Sequence, residues 1–519
     1  MLDFAKLPWL KQSPPRINDF LSPQHVESLD SLRLNLFRLS AYALNATQLQ
    51  TLARKAEPLF LDFDSPFPLV RMAVLGNTTT HYLSKGIEAT GFRYKLHIDT
   101  FETEFDQTQH AVLDPHSTLY QYNPDVILLN IDWRGLPLCT GYNSLIDNSD
   151  FLLEQSKNYI HQLVTTIHNH CQASIILQTI APPTMSVFGH FDSFSDYGFK
   201  RLITRFNDSL AEFHQKAGVY ILDVERLAST VGLSNWHDSN HWYLAKLAFS
   251  HELLPLYCDH VCRIVSSIKS TTRKVLILDL DNTLWGGVIG DDGLNGIKLG
   301  RGDGVGEAFI DVQNMVKTLK TRGIVLAVCS KNTKDIALSA FRDHPEMIVK
   351  EDDISVFQAN WIDKAANIKY IATALNLGLD SLVFMDDNPV ERERVRQELP
   401  EVAVLEMPND PSHHPFILSN CGYFESFHLS KEDLQRSEYY RSNIQRAEIL
   451  ASASSVEDYL KSLSMEISFN SFDSLNRKRI LQLINKSNQY NLTTKRYSEQ
   501  ELVQVEENPD YFCVQVRLI

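Results

Sequence analysis

The chain has too little positive charge to present a general basic field. Its 49 Lys and Arg against 64 Asp and Glu leave a formal net charge of −15 over 519 residues, so neither nucleic acid nor an anionic membrane surface is an expected partner. Long apolar runs are missing as well. No stretch approaches the ~18 apolar residues that a membrane-spanning helix needs, and the amino-terminal MLDFAKLPWLKQSPPR is interrupted by Lys6, Lys11 and two prolines, unlike a signal peptide. Cysteine is sparse, seven residues at irregular spacing, which argues against a disulfide framework and for reduced thiols in a cytoplasmic protein. Cys258, His260 and Cys262 share one stretch but have no second ligand pair nearby, so buried helix cysteines are expected there rather than a metal site. The absence of low-complexity tracts and internal repeats removes disordered and solenoid architectures.

What is present is an ordinary globular composition, 44% hydrophobic and 22% charged, over a length that at roughly 150 residues per domain suggests about three domains. Residues 1–67 read as a helical lead-in, with Thr47 and Gln50 spaced as a capping box. Over 68–268, short apolar strands (VRMAVL, VILLNI, SIILQTI, VYILDV) alternate with long amphipathic stretches, and a last helix is expected from Tyr243 to about Ile264. SSIKSTTRK then reads as a linker. A second alternating series fills 274–415, from KVLILDLD through GIVLAVCS to SLVFMDD. Beyond it, cap pairs at Ser430 and Asp433 and at Ser455 and Asp458, the strand MEISF and the helix RKRILQLINKSNQY imply a smaller unit over 424–519. Because the chain stops at the apolar strand FCVQVRLI, that unit is expected to be cut short. The expected fold class is α/β: two doubly wound Rossmann-like domains followed by a truncated α+β domain.

Chemistry concentrates in the second series. Asp279 and Asp281 stand at the carboxyl end of one strand and Asp386 and Asp387 at the end of another, the edge where parallel sheets collect functional groups. Carboxylates gathered there repel by about 4 kcal/mol per close pair at an effective dielectric near 20. They call for a cation, and an all-oxygen ligand set without His or Cys points to Mg²⁺. Ser330 closes GIVLAVCS and Lys364 opens the helix after NWID, a hydroxyl and an ammonium suited to the charge spread over a transferring phosphoryl group. Taken singly these are ordinary features: a turn, a surface serine, a solvated lysine. Their ordered occurrence at strand ends makes the functional reading the stronger one.

DLDNTLW, CSKN, the lysine of NWIDKAANI and FMDDNP resemble the four ordered motifs of the haloacid dehalogenase superfamily, and in wording its FkbH-like branch. The resemblance implies Asp279 as nucleophile and metal ligand, and Asp281 as acid/base with its main-chain carbonyl on the metal. It further implies Ser330 and Lys364 as phosphoryl holders, with Asp386 and Asp387 ligating or orienting Mg²⁺. The glycine-rich stretch after Asp281 has room for a flap but not for a large cap domain. FkbH-like proteins are associated with loading a glyceryl unit from 1,3-bisphosphoglycerate onto an acyl carrier protein in polyketide biosynthesis, so a small phosphorylated metabolite and a carrier are the implied partners. Cys329, beside Ser330, is a candidate acyl-carrying thiol, against the simpler reading of a buried strand residue. In the first series, GNT at Gly76 and Asp238-Ser-Asn-His241 resemble an SGNH esterase. Thr78 stands where its serine would be and Asn77 where its aspartate would be, which favours a degenerate binding domain. NKSNQYNLTTKRY resembles the start of an acetyltransferase-like domain. The rival readings are a stand-alone phosphatase of another small phosphorylated metabolite, and an esterase or carrier-docking protein whose phosphoryl site is vestigial.

Overall fold

The alternating apolar runs become two parallel sheets in the computed structural model, which describes residues 2–21, 25–62, 65–139, 142–214, 216–427, 431–436, 438–440, 442, 446, 466–487, 493 and 495–518. The lead-in holds helices α1 (Leu29–Ser40) and α2 (Ala46–Ala56). Its cap lies two residues earlier than the sequence suggests: Asn45 and Gln48 form the reciprocal capping box of α2, and Thr47 falls inside the helix. The first sheet comprises β1 (Leu69–Gly76), β2 (His97–Glu102), β3 (Val126–Asn130), β4 (Ser174–Gln178) and β5 (Val219–Leu222) in the order β2-β1-β3-β4-β5, with helix α3 (His81–Gly91) after β1. All its pairings are parallel.

The single helix expected from Tyr243 is two, α4 (Ser239–Ala245) and α5 (Leu254–Ile268). Lys246 takes a left-handed conformation with φ 53° that ends the first, and Pro255 sits in the first turn of the second, where its missing N–H costs nothing. α5 also runs into the stretch read as a linker. The second sheet follows with β6 (Val275–Leu278), β7 (Val325–Ser330), β8 (Ile354–Ala359), β9 (Leu382–Met385) and β10 (Ala403–Val404). Its order is β10-β9-β6-β7-β8, again parallel throughout. Helices α6 (Gly304–Thr321), α7 (Lys334–Asp343), α8 (Lys364–Ala374) and α9 (Pro389–Glu398) connect these strands. Towards the carboxyl end, β11 (Ile467–Ser471) and β12 (Val514–Leu518) pair antiparallel. Ser430, the Ser455/Asp458 pair and most of the NQYNLT stretch lie outside the described residues. Among the described residues, no helix is long and apolar enough to cross a membrane.

Strand periodicity decides which core each residue enters. Val70, Met72 and Val74 of β1 and Leu276 and Leu278 of β6 face one common core that also contains Trp9, Leu256, Tyr257 and Val261. Ala73 and Leu75 face a core of the first unit, and Val275 and Ile277 one of the second. Each sheet thus turns one face towards α5 and the lead-in.

At the centre of that contact lies a buried charge cluster. Asp259 Oδ1 accepts from Arg93 Nη1 at 2.6 Å and from the Tyr94 hydroxyl at 2.9 Å. Its Oδ2 accepts from Arg263 Nε at 2.9 Å. The guanidiniums spend further donors on the carbonyls of Ser40 at 2.6 Å and Asn420 at 2.7 Å. Gly422, with φ +74°, leaves room for Arg263, since a Cβ there would stand 2.0 Å from its Nε. Burial opposes ionisation of Asp259, but Arg263 and Arg93 outweigh it and hold the carboxyl below its usual range. The contribution of this carboxylate is therefore full above pH ~4 and is lost as pH falls through its lower folded-state pKa. Replacing it as Asp259→Asn should leave two guanidiniums without a counter-charge and cost about 3 to 5 kcal/mol. Chemical denaturation at neutral pH measures this, and a midpoint equal to that of the parent protein would show that the cluster does not hold the units together.

Candidate functional site

The order of the second sheet reverses at β6, so the crevice beside its carboxyl end is the expected ligand position in an open parallel sheet. Asp279 leaves β6 there, its N–H donating to the Met385 carbonyl at 3.0 Å, which sets it beside Asp386 at the end of β9. Asp279, Asp386 and Asp387 each offer a carboxylate oxygen within 4.8 Å of the others. Lys364 opens α8 with its ammonium 3.0 Å from Asp279 Oδ2 and 2.5 Å from Asp386 Oδ2. All but Asp387 are buried. Burial works against the lysine charge, yet Asp279 and Asp386 more than offset it and hold the ammonium pKa up. Burial, and then the Asp279 charge, push the Asp386 carboxyl up, and the same two causes raise Asp387. Asp279 Oδ1 is buried without a hydrogen-bond partner. Three carboxylates, one ammonium and an unsatisfied oxygen fit a hard divalent cation bound through oxygen.

Asp281 sits two residues on, in a different environment. Its Oδ1 accepts from Trp285 Nε1 at 2.9 Å and from the Ile289 N–H at 3.0 Å, and its Oδ2 from Asn332 Nδ2 at 2.8 Å. The same amide nitrogen lies 3.3 Å from Ser330 Oγ, joining the ends of β6 and β7. The stretch after Asp281 folds over as a small flap, with Gly286 and Lys298 exchanging backbone hydrogen bonds of 3.0 and 2.8 Å. Arg392 donates to the carbonyls of Asp386 and Asp387 at 2.9 and 2.6 Å, and Thr283 Oγ1 accepts the Asp387 N–H at 3.2 Å. Asn332, Trp285, Thr283 and Arg392 were not singled out from sequence. Thr283 and Trp285 lie within DLDNTLW and Asn332 ends CSKN, whereas Arg392 carried no signal.

The remaining candidates lie apart from this cluster. Cys329 is fully buried with its thiol 3.7 Å from the Lys364 carbonyl. It packs in the core of the second unit with Ala365 and Ile368, and burial pushes its thiol pKa well up. In the first sheet the Thr78 hydroxyl donates to Asn130 Oδ1 at 3.1 Å. His241 Nδ1 stands 3.1 Å from Asp238 Oδ2 and accepts the His251 N–H at 3.4 Å. The Cys258 and Cys262 thiols donate to the carbonyls of Leu83 and Ile87 on α3, as buried helix cysteines do.

A parallel sheet that gathers acidic side chains, a serine and a lysine at one edge is the architecture of the haloacid dehalogenase class. Residues 71–266 match the family described as FkbH, N-terminal domain. Among solved structures, the N-terminal part of the protein BF1531 from Bacteroides fragilis, described as containing a phosphatase domain complexed with Mg, is 31% identical with a TM-score of 0.67. That likeness covers 74% of this chain and 100% of the other. The salicylyl-acyltransferase SsfX3 from a tetracycline biosynthetic pathway is 15% identical over 36% of this chain and 52% of that one, with a TM-score of 0.23. No curated protein matches. The chain belongs to the FkbH-like family of the haloacid dehalogenase superfamily.

The charge balance at the site makes a prediction. Lys364→Met should leave buried carboxylates unpaired and cost about 3 to 5 kcal/mol in chelator, with millimolar Mg²⁺ restoring part of the loss by binding the folded form. Thermal unfolding of both proteins with and without Mg²⁺ tests this. Equal cation-induced shifts would mean that Lys364 and the cation do not share the carboxylates.

Proposed function

We propose that this chain is a Mg²⁺-dependent phosphoryl-transfer enzyme that works through an aspartyl-phosphate on Asp279. The observation that carries the reading is the contrast between two carboxylates at one strand end: Asp279 has an unpartnered oxygen amid the acidic cluster, whereas Asp281 is held by three donors. Asp279, Asp386 and Asp387 are the proposed holders of the cation, together with the main-chain carbonyl of Asp281 carried over from the family motif. Bound there, Mg²⁺ would neutralise charge on the phosphoryl oxygens. Ser330 and Lys364 would hold those oxygens. Asp279 would attack phosphorus as the leaving oxygen departs, protonated by Asp281, and Asp281 would then take a proton from the water that hydrolyses the aspartyl-phosphate.

The finer reading places a glyceryl unit on an acyl carrier protein. In 1,3-bisphosphoglycerate the acyl phosphate is already activated. A carrier thiol can attack the acyl carbon and expel phosphate, while the Asp279 centre hydrolyses the remaining phosphate ester to an alcohol and inorganic phosphate. An apolar rim supports a macromolecular partner: Trp361, Ile362 and Val390 are 75%, 56% and 72% exposed on the segments that open α8 and α9. We assign Cys329 to packing, because its thiol is buried and held protonated. We read the Thr78 region as a binding domain, because the Thr78 hydroxyl is bonded to Asn130.

Rapid-quench labelling tests the central step with a ³²P-labelled phosphate ester and, for the Asp281 variant, with a ³²P-labelled aryl phosphate whose leaving group needs no protonation. Label should map to Asp279 and vanish in Asp279→Asn, while Asp281→Asn should retain it longer. Label on Ser or His, or none in an active enzyme, would remove Asp279 from the nucleophile's role. Ser330→Ala should lower kcat by roughly 10²- to 10³-fold if its hydroxyl acts as an oxyanion-hole donor does. Incubation with Mg²⁺, 1,3-bisphosphoglycerate and carrier proteins should add a glyceryl thioester to a carrier by mass spectrometry. Phosphate release without any carrier adduct would favour a stand-alone phosphatase.

A further inference from the structure

Beside the proposed catalytic groups, one ion pair spans the mouth of the same crevice. Lys331 Nζ donates to Glu391 Oε1 at 2.5 Å. Lys331 follows Ser330 at the end of β7, and Glu391 lies in the first turn of α9, just behind Asp386 and Asp387. Since β6 runs between β7 and β9, the pair reaches across the strand that carries Asp279.

The two partners are unequally buried. The Lys331 side chain is 37% exposed. Glu391 is only 8% exposed as a residue, and its second oxygen, Oε2, is buried without a hydrogen-bond partner. An exposed pair of this kind would have little consequence. A carboxylate so deeply buried that satisfies one oxygen and strands the other carries a desolvation cost, and such stranded groups call for a specific explanation.

Charge at this edge narrows what that explanation is. Lys364 is committed to Asp279 and Asp386, and Arg392 to the carbonyls of Asp386 and Asp387 and to Glu406. Lys331, directly after Ser330, is both held in place and open to solvent. We propose that Lys331, positioned by Glu391, is the specificity-determining residue for the part of the substrate beyond the reacting phosphoryl group. It receives a second anionic group of a small phosphorylated molecule, while Glu391 Oε1 holds the ammonium in place. The inference rests on the phosphoryl-transfer reading of the site.

The test uses the full chain carrying Asp279→Asn, with Mg²⁺, so that ligands are not consumed. Calorimetry compares 3-phosphoglycerate with glycerol 1-phosphate, which has a neutral alcohol in place of the carboxylate. Expected are a preference of tenfold or more for 3-phosphoglycerate, its loss in Lys331→Met, a smaller loss in Glu391→Gln and partial retention in Lys331→Arg. Absence of 3-phosphoglycerate binding, equal affinities in the parent, or equal weakening of both ligands by Lys331→Met would overturn the proposal. Phosphate release from both esters by the wild-type chain is measured in parallel. A Lys331-dependent preference without phosphate release would overturn the phosphoryl-transfer reading alone, whereas release with no preference would overturn the specificity role alone.

Discussion

Asp259 is the residue on which the arrangement of the chain turns. Its carboxylate is fully buried, and the two guanidiniums that make this tolerable come from different parts of the sequence, Arg93 after α3 and Arg263 within α5. Through their remaining donors they reach Ser40 in the lead-in and Asn420 after the second sheet. Apolar contact alone would let two sheet faces slide over a shared helix, because burial has no direction. A buried charge with fixed hydrogen-bond geometry is different, since a shift of the partners leaves it unpaired at a cost of several kcal/mol. The cluster is best understood as a register device between the units, and its net contribution to stability is a separate and smaller matter.

The site at the end of β6 is built on the opposite balance. At Asp259 two cations surround one carboxylate, and the other donors around them end on carbonyls. At Asp279 three carboxylates share one ammonium and an oxygen is left over. The same low-dielectric surroundings make the first arrangement rigid and the second demanding of a ligand. This distinguishes a structural ion cluster from a candidate site more sharply than burial does, because both are buried.

How much of this was legible depended on the range of the interaction. Strands β1, β3 to β7 and β9 stood out because they are apolar runs bounded by polar residues. β2, with the sequence HIDTFE, and β8, with ISVFQA, have too many polar or half-buried positions to signal themselves, and β10 is two residues long. The break at Lys246 was hidden because a left-handed lysine has no sequence signature. The four aspartates, Ser330 and Lys364 were readable as residue types at element ends. The Asn332 bridge and the Lys331–Glu391 pair were not, because each joins elements that only the strand order brings together. Asp259 and Arg263 stood four apart in an apolar helix, and nothing local announced that Arg93 would complete them.

Strand order also explains why two aspartates separated by one residue can differ in chemistry. Asp279 is the first residue past β6 and stays level with the end of β9, where Asp386 and Lys364 await it. Asp281 stands two residues on, just before Asn282 in the left-handed region at φ 54°, and its side chain meets the flap and the β7 loop instead. The donors it finds there, an indole, a backbone N–H and an amide, are all neutral. They fix the position of the carboxyl between the flap and the β7 loop. Asp279 instead faces the Lys364 ammonium and the two carboxylates of Asp386 and Asp387. One turn of backbone at the reversal point of the sheet thus gives two aspartates separated by one residue different partners, an ammonium and an acidic cluster for the first and neutral donors for the second.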